Sequence, residues 1–304
     1  MSGHPRPRRM PIWSIHLLML VAAGLAATSF TVGKAITAGL DPAVLTLLRF
    51  LAATLLFLPW IRLRHGIARP VARDLLRYAA ISCTLAGFFW LMFLALRYTS
   101  ALNTSVLFTL VPGISGIYSA ILLGERLGRY RLLALALALP GALWILFEGD
   151  LERLLCLQLN KGDLLFFLAC LLIAFYTPLV KLLHREEPME LMTFWILVTG
   201  CGWLLLLGGG KLGGIDWPAI QPRVWLGIIY LAVFCTIITF FLSQFAVLYL
   251  GPTRVMAYSY LYPPLVLVLD WMLGHGLPSS RTLAGLLLLV PAMFVLQQGA
   301  RCSR

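Results

Sequence analysis

The sequence predicts an all-α integral membrane protein with ten transmembrane helices, arranged as two inverted five-helix repeats. Three observations predict this fold: the composition, a succession of long apolar stretches, and short segments that recur 150 residues apart. Of the 304 residues, 61% are hydrophobic and 12% are charged. A soluble domain is about 45–50% apolar and cannot cover this much apolar surface. The composition therefore excludes an ordinary cytosolic enzyme, a disordered chain and a nucleic-acid-binding domain.

Apolar stretches separated by charge, glycine or proline predict the helices, because a span needs about 20 mainly apolar residues. In order, they cover residues 13–33, 42–61, 76–96, 101–123, 130–147, 164–183, 189–209, 223–248, 252–273 and 282–299. The first stretch is longer than the roughly 7–15 apolar residues of a signal peptide, so we predict a retained helix. The second begins at Asp41-Pro42, an N-cap acid followed by proline at the first helical position.

Basic residues predict the orientation of these helices. The formal charge is +12, and Lys and Arg lie mostly in the short segments between apolar stretches. With a cytoplasmic N-terminus, 16 of them fall on the inner side and seven on or near the outer side. Positive loops favour the cytoplasm. We therefore predict a multi-pass protein of the cell inner membrane with both termini inside.

The six cysteines predict neither a metal site nor a disulfide framework. No Cys-x-x-Cys pair occurs, and four of the six lie within apolar stretches, where cysteine acts as a small packing residue. We expect no metal and no cofactor.

Two segments of the chain repeat each other. The segment 123–127 (Leu-Gly-Glu-Arg-Leu) is followed by Arg131, and segment 273–277 (Leu-Gly-His-Gly-Leu) is followed by Arg281. An odd number of spans in each unit makes the second unit enter the membrane in the opposite direction. Inverted repeats are a common build of secondary transporters, whose substrate binds near the midplane between the repeats.

This repeat predicts the division of the chain. A cytoplasmic segment occupies residues 1–12, and the first repeat occupies 13–148. An external linker covers 149–162, the second repeat covers 163–299, and a cytoplasmic tail covers 300–304.

Several short segments resemble a known family. They are 41–50 (Asp-Pro-Ala-Val-Leu-Thr-Leu-Leu-Arg-Phe), 95–101, 123–127, 249–252 (Tyr-Leu-Gly-Pro) and 260–263 (Tyr-Leu-Tyr-Pro). Through them the chain resembles, from about residue 13 to 295, the EamA-type drug/metabolite transporters, which are bacterial ten-helix carriers. The resemblance implies transport of small molecules but no particular substrate. One position departs from the family pattern: His275 stands where Leu-Gly-Glu is usual, as at Glu125.

Polar and aromatic side chains within the spans predict a substrate site. Hydroxyl residues including Thr239 share one face of the eighth span, and Tyr262 shares a face of the ninth with other polar residues. The predicted substrate-binding residues are Thr28, Trp90, Thr239, Tyr258 and Tyr262. Such an aromatic, lightly polar lining suits amphipathic or zwitterionic molecules. The alternative for each Ser or Thr is helix packing, where small and hydroxyl residues are also common.

Three charged residues within or at the ends of spans have predicted roles. Arg49 lies about two turns into the second span and needs a partner; we interpret it as a structural anchor, with gating as the alternative. Asp270 is the carboxylate nearest the interior and is the candidate for energy coupling. Lys34 ends the first span, where its side chain is expected to snorkel to the interface.

These observations favour a secondary transporter, an exporter of amino acids or similar metabolites working by alternating access. Its expected partners are the substrate and the lipid bilayer, not nucleic acid, and it is expected to be a monomer or weak homodimer. The alternative is an integral-membrane enzyme acting on a lipid or isoprenoid, with Asp270 and His275 as its reactive groups. Neither His-Glu-x-x-His nor Gly-x-Ser-x-Gly occurs in the sequence.

Overall fold

The computed structural model describes residues 11–66, 70–124, 129–147, 149–152, 160–185, 187–250 and 252–274, and residues 284, 285, 287, 289, 291, 294 and 295. Within these ranges the protein is helical and has no strand. The α-helices are α1 (Ile12–Ile36), α2 (Pro42–Arg64), α3 (Ala72–Ala95), α4 (Ala101–Phe108), α5 (Val111–Leu123), α6 (Arg129–Leu146), α7 (Lys161–Leu183), α8 (Met189–Gly208), α9 (Pro222–Ala232), α10 (Thr239–Leu250), α11 (Pro252–Ala257) and α12 (Tyr262–Met272).

The helices make this a multi-pass membrane protein. In the described residues, seven helical segments are long and apolar enough to cross a bilayer, and Leu132–Leu146 is a shorter apolar helix. The predicted ninth span is formed by α11, a 3₁₀ turn at Tyr258–Leu261 and α12. Most of the predicted tenth span, 282–299, lies outside the described residues, which include only seven of its 18 positions. The count of ten and the inverted arrangement therefore stay predictions.

The predicted start of the second span is confirmed. The Asp41 carboxylate accepts a hydrogen bond from the Ala43 amide at 2.9 Å, and Pro42 occupies the first turn of α2. Asp41 also pairs with Lys211, whose ammonium lies 2.8 Å from it. Partial burial would raise the pKa of Asp41, but the bonds from Lys211 and Ala43 outweigh it, so this pKa lies below its ordinary value.

Three spans that the sequence predicts as single helices are interrupted. The fourth breaks at residues 109–110, between α4 and α5, just before Pro112. The ninth changes to a 3₁₀ turn just before Pro263. Proline lacks an N–H and clashes with the carbonyl four residues earlier, so each helix must restart near it. The eighth span contains a π-helix at Val233–Ile238, between α9 and α10.

Glycines allow the central helices to approach closely. A Cβ at Gly162 of α7 would lie 2.8 Å from the Thr99 amide nitrogen and 2.9 Å from the Ala95 carbonyl oxygen. A Cβ at Gly200 of α8 would lie 2.9 Å from the ring of Phe50 in α2. Real Cβ atoms do not approach that closely, so these positions require glycine for α7 to pack on α3 and α8 on α2.

Candidate functional site

A cavity of about 400 Å³ lies in the middle of the bundle. Its lining residues come from α1 to α5, from α7, α8, the π-helix and α10, and from the residues around Tyr258. Most of its lining is aliphatic or aromatic, with hydroxyl groups from residues such as Thr193, Thr239 and Ser243. The space therefore suits a molecule with an apolar body and a few polar groups.

A second cavity of about 450 Å³ continues the first. The two share the lining residues Pro112, Tyr176, Thr177, Thr193 and Met256. The second cavity extends along the last turns of α7 to Lys181 and His184. We call this end of the bundle the open end. The two cavities together form a continuous path from the centre of the bundle to the open end.

At the opposite end of the bundle, the side chains of Lys34 and Arg97 donate hydrogen bonds to backbone carbonyls of neighbouring segments and hold these segments together. The Lys34 ammonium donates to the carbonyl oxygens of Leu96 at 2.8 Å and Thr99 at 2.9 Å. The Arg97 guanidinium donates to the carbonyl oxygens of Thr37 and Leu40, the latter at 2.7 Å. Lys34 thus caps the last turn of α3, where the sequence led us to expect a side chain extended to the interface.

Helix α7 joins this network through a buried carboxylate. Asp163 is only 4% exposed and accepts hydrogen bonds from the Thr99 hydroxyl at 2.5 Å and the Asn103 amide at 3.4 Å. The Asn160 side chain donates to the Tyr98 carbonyl at 2.6 Å. The residues Lys34, Thr37, Arg97, Thr99 and Asp163 define what we call the closed end.

The structure brings three of the five predicted substrate-binding residues to the cavity: Thr239, Tyr258 and Tyr262. Thr28 lies behind the lining, with its hydroxyl 3.4 Å from the sulfur of Cys235, which does line the cavity. Trp90 is half-buried among apolar side chains and is not among the lining residues of either cavity in the described part of the chain. The binding roles stay predictions.

The sequence did not predict several other residues that line the cavities. Tyr176 and Thr177 of α7 line both cavities, and Phe89 of α3 lines the first. The available signal was the break in apolar character at Tyr176-Thr177-Pro178. His16, which looks ordinary in the sequence, forms a hydrogen bond through Nδ1 with the hydroxyl of Tyr258.

Arg49 lies beside the cavity and is fully buried. Its Nε and Nη2 atoms each lie 3.1 Å from the Thr236 hydroxyl oxygen, and Nη2 lies 3.4 Å from the Cys235 carbonyl oxygen. Its guanidinium carbon is 4.1 Å from the centre of the Phe89 ring. Thr236 and Cys235 belong to the π-helix, whose wider turn allows the Thr236 hydroxyl to donate to the Leu231 carbonyl five residues earlier.

Asp270 is half-buried near the end of α12. Its carboxylate accepts a hydrogen bond from the Thr31 hydroxyl of α1 at 3.2 Å. His275, the other group of the enzyme alternative, lies outside the described residues.

The model of the EamA-like transporter family matches two segments of the chain, residues 13–147 and 160–297. An "Uncharacterized transporter" of Archaeoglobus fulgidus is 24% identical over 92% of this chain and 96% of its own length. The "Uncharacterized transporter YyaM" of Bacillus subtilis is 20% identical over 91% of this chain and 92% of its own length. A crystal structure 19% identical to this chain superposes with a TM-score of 0.65, covering 96% of this chain and 99% of the other. At that identity, the superposition supports the fold alone.

Proposed function

Because this chain belongs to the EamA-like transporter family, we propose that it exports small amphipathic or zwitterionic metabolites, amino acids or similar compounds, by alternating access. The family and the apolar helices together identify the protein as a multi-pass membrane transporter. The observation that best supports the finer proposal is the continuous path from the central cavity to the open end, with hydrogen bonds tying the closed end. Alternating access requires this asymmetry in each of its end states.

The arrangement of the chain supports two repeats around this path. The family model matches the chain once in each half, and both halves contribute to the cavity lining. In each half a helix restarts just before a proline, at Pro112 and at Pro263. Interrupted helices in corresponding positions of two halves are a feature of transporter binding sites. We propose that the ten spans form two inverted repeats.

The basic residues support an orientation for this path. With both termini in the cytoplasm, as the charge bias favours, the open end faces the cytoplasm and the closed end faces outward. A transporter in this state loads its substrate from inside the cell. We therefore propose that export across the cell inner membrane begins from this conformation.

Transport into proteoliposomes tests the proposal. Labelled amino acids and amphipathic metabolites would be offered to vesicles containing the full chain, and at least one compound is expected to cross faster than in protein-free vesicles. Thr193→Trp should block the path, because Thr193 lines both cavities. Leu206→Trp is the matched control on the same helix, since Leu206 is 79% exposed. Failure of the whole panel, or equal transport by the two variants, would overturn the proposal.

A further inference from the structure

The guanidinium of Arg49 is a buried charge with an unused donor. Its side chain is 0% exposed, and its Nη1 atom has no hydrogen-bond partner. The Nε and Nη2 donors reach two neutral oxygens, those of the Thr236 hydroxyl and the Cys235 carbonyl. Within the described part of the chain, no Asp or Glu forms an ion pair with Arg49.

Such an arrangement is costly for the protein by itself. Arginine stays protonated in proteins, and a charge within a bilayer needs a partner of opposite charge or a polar cavity. A buried donor without an acceptor adds to this cost. The two neutral acceptors satisfy part of the hydrogen bonding of Arg49, but within the described residues its charge has no carboxylate partner.

The guanidinium of Arg49 lies one side-chain layer from the central cavity. The guanidinium rests on the ring of Phe89 at 4.1 Å, and Phe89, Cys235 and Thr236 all line the cavity. A shift of the Phe89 ring would therefore bring the guanidinium to the cavity surface. The π-helix that carries Cys235 and Thr236 is a feature found frequently at functional sites.

The path to this site is also basic. Lys181 and His184 line the cavity at the open end. No Asp or Glu is among the described residues that line either cavity. The described lining of the path therefore presents no negatively charged side chain that would repel an entering anionic group.

We propose that Arg49 binds a carboxylate of the substrate, so that the transported compounds are amphipathic molecules with a carboxylate and an apolar body. The planar guanidinium can bond both oxygens of a carboxylate, and its free Nη1 supplies one of these bonds. The Phe89 ring moves off the guanidinium and packs against the apolar body. This inference rests on the proposed transport function and names the chemical class that it serves.

Matched ligand pairs test the inference. Phenylalanine, leucine and threonine, each compared with its amide, would be tested for binding to the purified full chain and for transport in proteoliposomes. A bidentate charged pair predicts that the wild type prefers the carboxylate of at least one pair by roughly 10- to 100-fold. Arg49→Gln should lose this preference while retaining its affinity for the amide. Arg223→Gln removes one exposed charge near the start of α9 and should behave as the wild type.

A second variant keeps the test decisive if Arg49→Gln does not fold. Phe89→Leu removes the ring that covers the guanidinium and should change the carboxylate-to-amide preference by at least about threefold. Equal affinity of the wild type for acids and amides, a preference retained by Arg49→Gln, or an unchanged preference in Phe89→Leu would each overturn the inference. Transport of the amides as fast as that of the matching acids would overturn it while leaving the proposed function intact. No transport of any compound would instead refute the proposed function.

Discussion

Removing the Lys34 ammonium should loosen the closed end. Lys34 belongs to α1 and donates to two carbonyl oxygens at the end of α3, those of Leu96 and Thr99. Lys34→Met keeps a long flexible side chain and removes both hydrogen bonds. The variant is therefore expected to populate a conformation in which the path opens at this end.

The expected shift follows from the two lost bonds. Because Lys34 is exposed, each bond is given the ordinary net value of about 1 kcal/mol, not the larger value of a buried charged pair. Their sum of about 2 kcal/mol corresponds to a change of roughly 30-fold in the ratio of the two conformations. If the outward-open form is the minor one, its population rises nearly in proportion.

Native Cys235 can report the change, because its side chain lines the central cavity. The assay uses a chain in which the other cysteines are replaced by serine, namely Cys83, Cys156, Cys170, Cys201 and Cys302. A membrane-impermeant methanethiosulfonate is added to right-side-out or to inside-out vesicles. The wild type should react mainly in inside-out vesicles, and Lys34→Met should react roughly 30-fold faster than the wild type in right-side-out vesicles.

Lys161→Met is the matched control, because it removes an exposed ammonium at the same end, where it lies over the Tyr98 ring at 5.0 Å. The control should react at the wild-type rate from both sides. Equal right-side-out rates for Lys34→Met and Lys161→Met would refute the role of the Lys34 hydrogen bonds in closing this end.

Three further outcomes are expected. Gly162→Ala should lower the free energy of unfolding of the purified protein by about 1–3 kcal/mol, because its Cβ would lie 2.8 Å from the backbone nitrogen of Thr99. Gly24→Ala is the control, because a Cβ at Gly24 would have no other atom within 4 Å, and it should change the free energy of unfolding little or raise it slightly. A larger loss of stability in Gly24→Ala than in Gly162→Ala would contradict the close packing of α7 on α3. Tyr262→Ala should reduce transport by roughly tenfold at similar membrane abundance, through loss of an aromatic surface in the cavity; unchanged transport would remove it from the site. Any acceleration of transport by a pH gradient should disappear in Asp270→Asn, and a gradient effect that survives would place the coupling group elsewhere.

The sequence predicts helices better than it predicts which helical face meets the cavity. Asp41 and Pro42 start α2 as predicted, since an N-cap acid and a first-turn proline act locally. The sequence predicts Trp90 in the site, on the same face of the third span as Gly87. A Cβ at Gly87 would lie 2.8 Å from a Leu172 methyl carbon, so this part of α3 packs closely on α7. Phe89, one position away on the helix, lines the cavity instead.

The sequence pattern also does not predict which groups the charged side chains contact. Lys34 at a helix end has the same local sequence signal whether it extends to the interface or bonds to another helix. Its partners, Leu96 and Thr99, lie more than 60 residues away in the chain, and tertiary packing alone brings their carbonyls within reach. The sequence predicts that Arg49 needs a hydrogen-bonding partner, and the Thr236 hydroxyl is one. The sequence could not show that its partners would come from the π-helix.

Ion pairs and apolar contacts join the helices into two groups, which also pack against each other where Phe57 of α2 meets Phe240 and Phe241 of α10. Near the open end, Arg77 pairs with Glu187 at 2.9 Å and Arg64 pairs with Glu190 at 3.5 Å, which joins α2 and α3 to α7 and α8. Apolar side chains join α1 to α10 and to the turn at Tyr258.

At the closed end, the Lys34 bonds cross between these groups, whereas the open-end ion pairs lie within one of them. Opening the closed end therefore requires breaking the Lys34 bonds and the bonds from Arg97 to Thr37 and Leu40, but none of these ion pairs. At mid-depth, the bonds from Arg49 to Thr236 also cross between α2 and the π-helix that leads into α10. A substrate carboxylate that occupies the guanidinium competes with these bonds. In the proposed binding mode, the substrate would thereby weaken one contact between the groups, the one from Arg49 to Thr236, which gives the bound ligand a direct means of favouring the change of access.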